Sequence, residues 1–211
     1  MTLGILLVSA YLAGSVNFAI IALKLLGKGD PRRFFSGNAG TTNVYRQAGK
    51  GWAVVVLLLD VGRGAVAASA AVALLPIALA PWVGVALVMG NRFPLFHQFQ
   101  GGKGVASYLG TVLVLSPWGA AAACLLWVLV QRLAGYPFIA SFAMVLALGA
   151  ASTVTTGVAL SPLAANCSTI LLILLNHGKN IQAFRDERQN LSLQSERQET
   201  ERAAGNREGG S

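Results

Sequence analysis

Charged residues are scarce in this chain. Only 11% of its 211 residues are Asp, Glu, Lys or Arg, whereas soluble domains contain about 25%. Acidic residues are the scarcest: the chain has eight, and before residue 185 they are Asp30 and Asp60 alone. Together with 55% hydrophobic residues and a mean hydropathy of +0.61, this composition excludes a large soluble domain. It indicates an all-α integral membrane protein built around one helical domain.

Cysteine is equally rare. Cys124 and Cys167 both lie in apolar runs and lack the spacing of metal ligands, so we expect two small buried side chains, with neither a disulfide framework nor a zinc site. No metal or cofactor is expected. The first seven residues contain no basic side chain, whereas a cleaved signal peptide normally begins with one. The first apolar run is therefore predicted to be a retained transmembrane helix.

Long apolar runs, in contrast, fill most of the chain. A helix needs about 20 apolar residues to cross a bilayer, and Gly, Pro and polar residues separate the runs. We count about seven transmembrane helices, two of them too short to cross the hydrocarbon layer alone. Five spanning helices with re-entrant short segments are the alternative. The runs cover residues 2–26, 52–75, 82–90, 105–115, 118–133, 138–158 and 163–175.

The basic residues predict the orientation of these helices. The breaks at 76–81, 115–118 and 158–162 contain no charged residue, whereas nearly all Lys and Arg lie in the other breaks and after residue 176. Positively charged loops stay in the cytoplasm, so we expect the amino terminus outside and every basic loop on the cytoplasmic side. Nucleic acid is not expected as a partner, because the basic residues are spread along membrane segments.

Two of the cytoplasmic breaks combine glycine with a fixed positive charge. Glycine lets backbone N–H groups approach an anion closely, and Lys or Arg adds charge, so both segments have the chemistry of phosphate binding. A single Gly-Gly-Lys-Gly can equally be an ordinary basic turn, but two such loops on one face favour a phosphate site. The residues concerned are Ser36, Gly37, Asn38, Thr42, Asn43 and Arg46 in the first loop and Gly101, Gly102, Lys103 and Gly104 in the second.

Other ionisable residues are few. Asp60 and Arg63 are three residues apart on one predicted helix and can pair across its surface; a structural role is favoured over catalysis. His177, at the end of the last apolar run, could act as a general base, bind phosphate or simply lie at the membrane interface, and substrate binding is favoured. His97 lies outside any cluster and is expected at the interface.

These residues resemble the motifs of the bacterial acyl-phosphate:glycerol-3-phosphate acyltransferase family over residues 10–184. The first two motifs together are specific, although each alone would be weak. The matching positions are Gly14-Ser15, Ser36-Gly37-Asn38, Gly40, Thr42-Asn43, Arg46, Asp60, Gly64, Phe93-Pro94, Gly101 to Ala106, Tyr136, Ser141, His177 and Asn180-Ile181.

The resemblance implies a seven-helix enzyme of the bacterial inner membrane with its active site facing the cytoplasm. The family moves an acyl chain from acyl-phosphate to the first-position hydroxyl of glycerol 3-phosphate, giving lysophosphatidic acid. By position, Ser36, Lys103 and His177 would be catalytic. Lys103 and its glycines would hold the acyl-phosphate with Ser36 close by. The glycerol 3-phosphate would be held by Arg46, Ser141, His177 and Asn180.

The chain also departs from the family pattern. Phe35 replaces a glycine, Asn17 a proline and Asn91 a histidine, and further departures are Gly135 for arginine, Phe138 for serine and Gly178-Lys179 for an Arg-Glu pair. A catalytically weak or inactive family member is therefore one alternative. Another is a small transporter of an anionic solute, although the sequence has no convincing internal repeat and its polar residues lie on one side.

The polar tail over residues 185–211 is predicted to be disordered, because it has too few apolar residues to bury a core. A helical extension from His177 to about Arg188 is possible. If the active site lies entirely within residues 1–184, deletion of residues 192–211 should leave acyl transfer largely intact in an assay of the purified protein. A large loss of activity would show that the tail is part of the site.

Overall fold

The computed structural model describes the backbone of residues 1–208 and the side chains of residues 1–194. This part of the chain is all-helical, with no strand. Short 3₁₀ turns occur at Pro31–Arg33, Ile77–Leu79 and Leu95–His97. The ten α-helices are α1 (Thr2–Ser15), α2 (Phe18–Leu25), α3 (Thr41–Ala48), α4 (Lys50–Leu74), α5 (Ala80–Arg92), α6 (Val105–Leu115), α7 (Pro117–Ala134), α8 (Pro137–Thr156), α9 (Leu160–Leu175) and α10 (Gly178–Glu208).

The helices confirm the prediction of an all-α integral membrane protein but not the exact count of seven spans. Five segments of the described chain are long and apolar enough to cross a membrane: α1 with α2, then α4, α5 with its flanking turns, α7 and α8. A sixth is obtained if α9 is counted together with the beginning of α10. Helix α6 has only 11 residues, about half of what a bilayer requires.

The first span is interrupted, which the sequence analysis did not predict. Helix α1 ends at Ser15 and α2 begins at Phe18, although residues 2–26 have the hydropathy of one continuous span. Asn17 causes the restart, because its side-chain Oδ1 accepts a hydrogen bond from the backbone N–H of Ile20 at 3.0 Å. Asparagine is among the strongest N-cap residues, because this bond satisfies a donor that has no partner within the helix.

Arg63 supplies hydrogen-bond donors to carbonyl groups at the end of α1 and in the interruption that follows it. From α4, its Nη1 donates to the carbonyl oxygens of Ala13 at 3.1 Å and Gly14 at 3.2 Å, and also to that of Val16. Its Nη2 donates to Asp60 Oδ1 at 2.7 Å, and both side chains of this ion pair are nearly inaccessible to solvent. The structural role favoured from the spacing of the pair agrees with these contacts.

Glycine pairs bring the helices of the membrane region into backbone contact. Between α1 and α5, a Cβ added to Gly14 would lie 2.2 Å from the Leu87 carbonyl oxygen, and one added to Gly90 would lie 2.1 Å from that of Tyr11. Small residues allow this close approach, which drives helix association where the hydrophobic effect cannot. The same arrangement recurs between α4 and α6, whose facing glycines are Gly64 and Gly110.

The chain divides into two units, Met1–Asn176 and a second that begins at His177. The second unit is dominated by α10, which continues the helical extension considered from His177 to about Arg188 as far as Glu208; the disorder expected for residues 185–211 stays a prediction. Gln, Glu and Arg are good helix formers, and local pairs add support, such as the hydrogen bond from Gln182 Nε2 to Asp186 Oδ1 at 2.8 Å. The boundary predicted at residue 184 stays a prediction.

The Arg63 contacts lead to a stability prediction. Arg63→Met should lower the free energy of unfolding by about 3–5 kcal/mol, because it leaves the Asp60 carboxylate and several carbonyl groups unpaired in an apolar region. The double variant Asp60→Asn/Arg63→Met should lose less than the sum of the two single variants, because the two side chains interact. Denaturation in mixed micelles measures both effects. Arg132→Met, at an exposed position on α7, is the matched control, and an equal loss in that variant would contradict the capping role.

Candidate active site

The first glycine loop, residues 31–40, is folded around the side chain of Asn43. Asn43 lies in the first turn of α3 and is 1% exposed. Its Nδ2 donates to the carbonyl oxygens of Pro31 at 3.1 Å, Phe34 at 3.1 Å and Asn38 at 2.9 Å, and its Oδ1 accepts from Ser36 Oγ at 3.1 Å. One amide therefore shapes the loop and orients the predicted catalytic serine, so both of its polar atoms are already used within the protein.

The second glycine loop, residues 98–104, folds back on the end of α5. The N–H groups of Gly101 and Gly102 donate to the carbonyl oxygens of Arg92 at 3.1 Å and Asn91 at 2.9 Å. A Cβ at position 101 would lie 2.0 Å from the Asn91 carbonyl oxygen, so any larger residue would displace the loop. Gly104 has φ +89°, a left-handed conformation that favours glycine and directs the chain into α6.

The two glycine loops meet at a single backbone junction. A Cβ added to Gly102 would lie 2.8 Å from the carbonyl oxygen of Ala39, so the loops are in direct contact. The same carbonyl accepts a hydrogen bond from Asn17 Nδ2 at 3.2 Å, which ties the junction to the break in the first span. The sequence placed both glycine loops on one face of the membrane, and the structure shows that they touch.

Lys103 is placed at this junction by a contact that the sequence did not reveal. Its carbonyl oxygen accepts a hydrogen bond from Asn176 Nδ2, at the carboxyl end of α9, at 3.2 Å. Partial burial and, secondarily, the positive charge of Arg46 lower the pKa of Lys103 from its ordinary value to about 8. Neither cation forms an ion pair with a carboxylate of the described side chains, so the junction has an excess of positive charge.

Phe35 occupies a left-handed backbone conformation that favours glycine, the residue that the resemblance leads us to expect there. Its φ is +52°, which costs a residue with a Cβ roughly 1–2 kcal/mol. The phenyl ring, 64% exposed, lies against the guanidinium of Arg46 with a distance of 5.6 Å from Cζ to the ring centroid. This cation–π contact fixes the orientation of Arg46 beside the loop.

Of the remaining predicted site residues, some lie at the glycine loops and others do not. Gly37 turns the first loop with φ +62°, and Thr42 is exposed on the first turn of α3. Ser141 Oγ donates to the carbonyl oxygen of Pro137 at 2.8 Å and accepts from Trp127 Nε1 at 3.4 Å, contacts within α8 and α7 that do not join it to the glycine loops. His177 and Asn180 belong to the second unit, and their roles stay predictions.

Three residues near the junction were not identified as functional from the sequence. Asn17 and Asn91 were noted only as departures from the family pattern, and Asn176 was not noted at all. Asn91 is buried and its Oδ1 has no hydrogen-bond partner, although it would lie 2.7 Å from a Cβ at Gly102. The N-cap preference of asparagine is the signal that could have identified Asn17; no local pattern would have revealed the long-range contact of Asn176.

Comparison with known proteins identifies the family. The family model described as glycerol-3-phosphate acyltransferase matches residues 4–187. A glycerol-3-phosphate acyltransferase of Pseudomonas syringae pv. syringae is 47% identical over 121 residues, which cover 57% of this chain and 63% of that protein. One of Ralstonia nicotianae is 37% identical over 180 residues, which cover 82% and 86%. The chain spans less than two thirds of the length of the first of these relatives.

Solved structures agree with the sequence comparisons. The crystal structure of PlsY (YgiH), an integral membrane glycerol 3-phosphate acyltransferase, in its glycerol 3-phosphate form has a TM-score of 0.82 and 33% identity, covering 89% of this chain and 94% of that one. Its lysophosphatidic acid form has a TM-score of 0.79. The transporter and the inactive protein considered above are not favoured by these findings. The chain belongs to the glycerol-3-phosphate acyltransferase family.

Proposed function

We propose that the protein transfers a fatty acyl chain from acyl-phosphate to the first-position hydroxyl of glycerol 3-phosphate, giving lysophosphatidic acid for phospholipid synthesis. The observation that carries the proposal is the junction of the two glycine loops at Ala39 and Gly102, where Lys103 and Arg46 bring two unpaired positive charges together. Two anionic substrates require two such charges. The PlsY structures with glycerol 3-phosphate and lysophosphatidic acid support this assignment.

The reaction suits a site of this composition. An acyl-phosphate is a mixed anhydride, so its phosphate is already a good leaving group and no covalent enzyme intermediate is required. The hydroxyl oxygen of glycerol 3-phosphate attacks the acyl carbon, the bond from that carbon to the phosphate oxygen breaks, and a phosphate oxygen takes up the hydroxyl proton. The protein has to align two anions that repel each other and offset their charge. Fixed cations perform both tasks, and the glycines let the two loops pack closely enough to bring those cations to one junction.

The roles of individual residues follow from the resemblance together with the observed contacts. In this proposal Lys103 holds the donor phosphate, the resemblance assigns Gly101, Gly102 and Gly104 to the same subsite, and Ser36 lies beside the reacting carbonyl. Arg46 binds the acceptor phosphate; the resemblance adds Gly37, Asn38, Thr42, Ser141, His177 and Asn180 as further substrate-binding residues, with His177 also catalytic. Asn43 takes a positioning role instead, because protein groups already occupy its amide.

The location of the enzyme is part of the same proposal. The two loops lie at one end of the helices, and this end carries Arg32, Arg33, Lys50 and Arg92 in addition to the site cations. Positively charged ends of membrane proteins remain in the cytoplasm. We therefore place the protein in the bacterial cytoplasmic membrane with its site facing the cytoplasm, where membrane lipid surrounds the helices and water-soluble glycerol 3-phosphate has access.

Substitution of Lys103 tests the proposed activity. Lys103→Ala should lower kcat/KM for acyl-phosphate by about 10- to 100-fold, the effect of removing a charged hydrogen-bond donor. Lys103→Arg should keep much of the activity, because the positive charge remains. The measurement is the formation of lysophosphatidic acid from acyl-phosphate and labelled glycerol 3-phosphate. Lys50→Ala, at an exposed position on α4, is the control; no product from the wild-type protein, or full activity of Lys103→Ala, contradicts the proposal.

The pH profile gives a second prediction from the same side chain. Because the pKa of Lys103 is lowered to about 8, the ammonium form that binds an anion is present below that pH and is lost above it. The kcat/KM for the donor, which reports ionisation in the free enzyme, should therefore fall as the pH rises through about 8. In Lys103→Arg this decline should be absent, because a guanidinium stays charged throughout that range. A wild-type profile that is flat up to pH 10 would contradict the assigned role.

The positioning role of Asn43 has its own test. Asn43→Asp keeps the shape and an acceptor oxygen but loses the donors to three carbonyl groups, so unfolding should become easier by about 2–4 kcal/mol. The KM values for both substrates should rise together, because the whole loop is displaced. Asn190→Asp, exposed on α10, is the matched control. Unchanged stability with an elevated KM for glycerol 3-phosphate alone would instead make Asn43 a substrate ligand.

A further inference from the structure

The two loops that form the site, together with the 3₁₀ turn Leu95–His97 before the second of them, carry a group of exposed phenylalanines. We call this group the aromatic rim; it consists of Phe34, Phe35, Phe96 and Phe99, which are 47%, 64%, 58% and 53% exposed. Three of them lie outside the apolar spans and Phe96 lies at the end of one, so the hydrocarbon core does not account for them. Contiguous exposed apolar side chains mark a surface that contacts a partner or a membrane.

Backbone strain is concentrated in the same loops. Among the described residues, the non-glycine positions with positive φ are Phe35, Gln98 and Phe99, at +52°, +57° and +55°. Two of the three belong to the aromatic rim. Each such residue costs roughly 1–2 kcal/mol, and strain of this kind persists where it serves a function. Here it directs two phenyl rings outward, and although the ring of Phe35 contacts Arg46, both residues stay more than half exposed.

Arg32 links the two halves of the rim: an ion pair with Asp30 fixes its guanidinium, and a hydrogen bond from the guanidinium reaches the other half. The guanidinium of Arg32 donates to Asp30, from Nε at 2.9 Å and from Nη2 at 2.6 Å. Its Nη1 donates to the carbonyl oxygen of His97 at 2.8 Å. Because Arg32 precedes Phe34 and His97 follows Phe96, this contact joins the first loop to the turn before the second, and Nη1 also donates to the Gln100 carbonyl oxygen of the second loop at 3.4 Å. The rim therefore forms one surface rather than two independent loops.

Basic side chains beside the aromatic rim indicate that the rim contacts an anionic lipid surface. Lys24, Lys28 and Arg33 are exposed, and the nearby acid, Asp30, is already paired with Arg32. Phenyl rings next to uncompensated basic side chains fit the boundary between anionic lipid headgroups and acyl chains, where each basic residue contributes about 1 kcal/mol. The rim also continues the lipid-facing side of α2, on which Leu25 is 81% exposed.

We propose that the aromatic rim inserts into the headgroup region of an anionic leaflet and admits the acyl chain of the donor to the site directly from the membrane. Phe35 belongs to the rim and also contacts Arg46, so the lipid surface extends to the cations of the junction. A long acyl chain then never has to enter water. The lipid contact stands on the rim itself, whereas the admission of the donor rests on the proposed acyl transfer.

The variant Phe96→Ser/Phe99→Asn tests the admission of the donor. It removes two rings that belong to no residue assigned to substrate binding or catalysis, and asparagine tolerates the left-handed backbone at position 99. In vesicles containing phosphatidylglycerol, the KM for palmitoyl-phosphate should rise by about 10-fold or more. The KM values for water-soluble butyryl-phosphate and for glycerol 3-phosphate should change by less than about 2-fold. Val158→Asn/Leu160→Asn, exposed at the uncharged end of the helices, is the matched control and should leave the palmitoyl-phosphate KM unchanged. Equal effects on both donors would overturn the proposed route.

A crosslinking experiment tests the lipid contact without relying on activity. With p-benzoylphenylalanine incorporated at position 96 of the full-length protein, irradiation in the same vesicles should give lipid adducts, and more of them than in vesicles of phosphatidylcholine alone. Crosslinked dimers without lipid adducts would show that a second copy of the chain covers the rim and would overturn the inference. Lipid adducts from a protein that makes no lysophosphatidic acid would refute the proposed function while supporting the lipid contact.

Discussion

The fold depends on one guanidinium group in the membrane region. Backbone groups in a bilayer must be satisfied within the protein, yet the first span is broken between α1 and α2. Arg63 supplies donors to the carbonyl groups of that break, and Asp60 balances its charge. Its Nη2 also reaches Ser107 on α6 at 2.8 Å. A single side chain thus makes the interruption tolerable and joins α1, α4 and α6, which glycine contacts then pack closely.

The interruption matters because it allows an asparagine to reach the site from within a span. Asn17 begins α2 with its Oδ1 and holds Ala39 with its Nδ2, and Ala39 in turn contacts Gly102. On the opposite side, Asn176 holds the backbone of Lys103. Glycine loops are intrinsically flexible, but these contacts fix both loops relative to the helices. Fixed donors and charges cost no reorganisation when the reaction occurs, which is the main source of electrostatic catalysis.

Sequence alone predicted the elements with local signatures. Apolar runs gave the helices, glycine next to a cation gave both loops, and the spacing of Asp60 and Arg63 gave their pairing. The break in the first span was missed, because hydropathy averages over it and the guanidinium that donates to its carbonyl groups belongs to another helix. Asn43 was predicted to bind substrate because it lies in a glycine-rich, cationic segment typical of phosphate sites. Its three carbonyl partners could not be predicted, because they depend on the path of the folded loop. The helical extension considered from His177 to about Arg188 continues to Glu208 in α10, because few apolar residues do not preclude a helix of Gln, Glu and Arg.

Repulsion between the two cations of the junction, Lys103 and Arg46, favours the binding of anions. In the free protein the positive charge of Arg46, added to partial burial, already lowers the pKa of Lys103, so the two cations destabilise each other. A phosphate bound beside either cation offsets that repulsion and raises the pKa of Lys103 again. Once both anions are bound, cations and phosphates compensate each other, and the remaining repulsion is between the substrates. In the proposed reaction, acyl transfer leaves two anionic groups in the site, the released phosphate and that of the product, so the departure of either one relieves the repulsion that binding created.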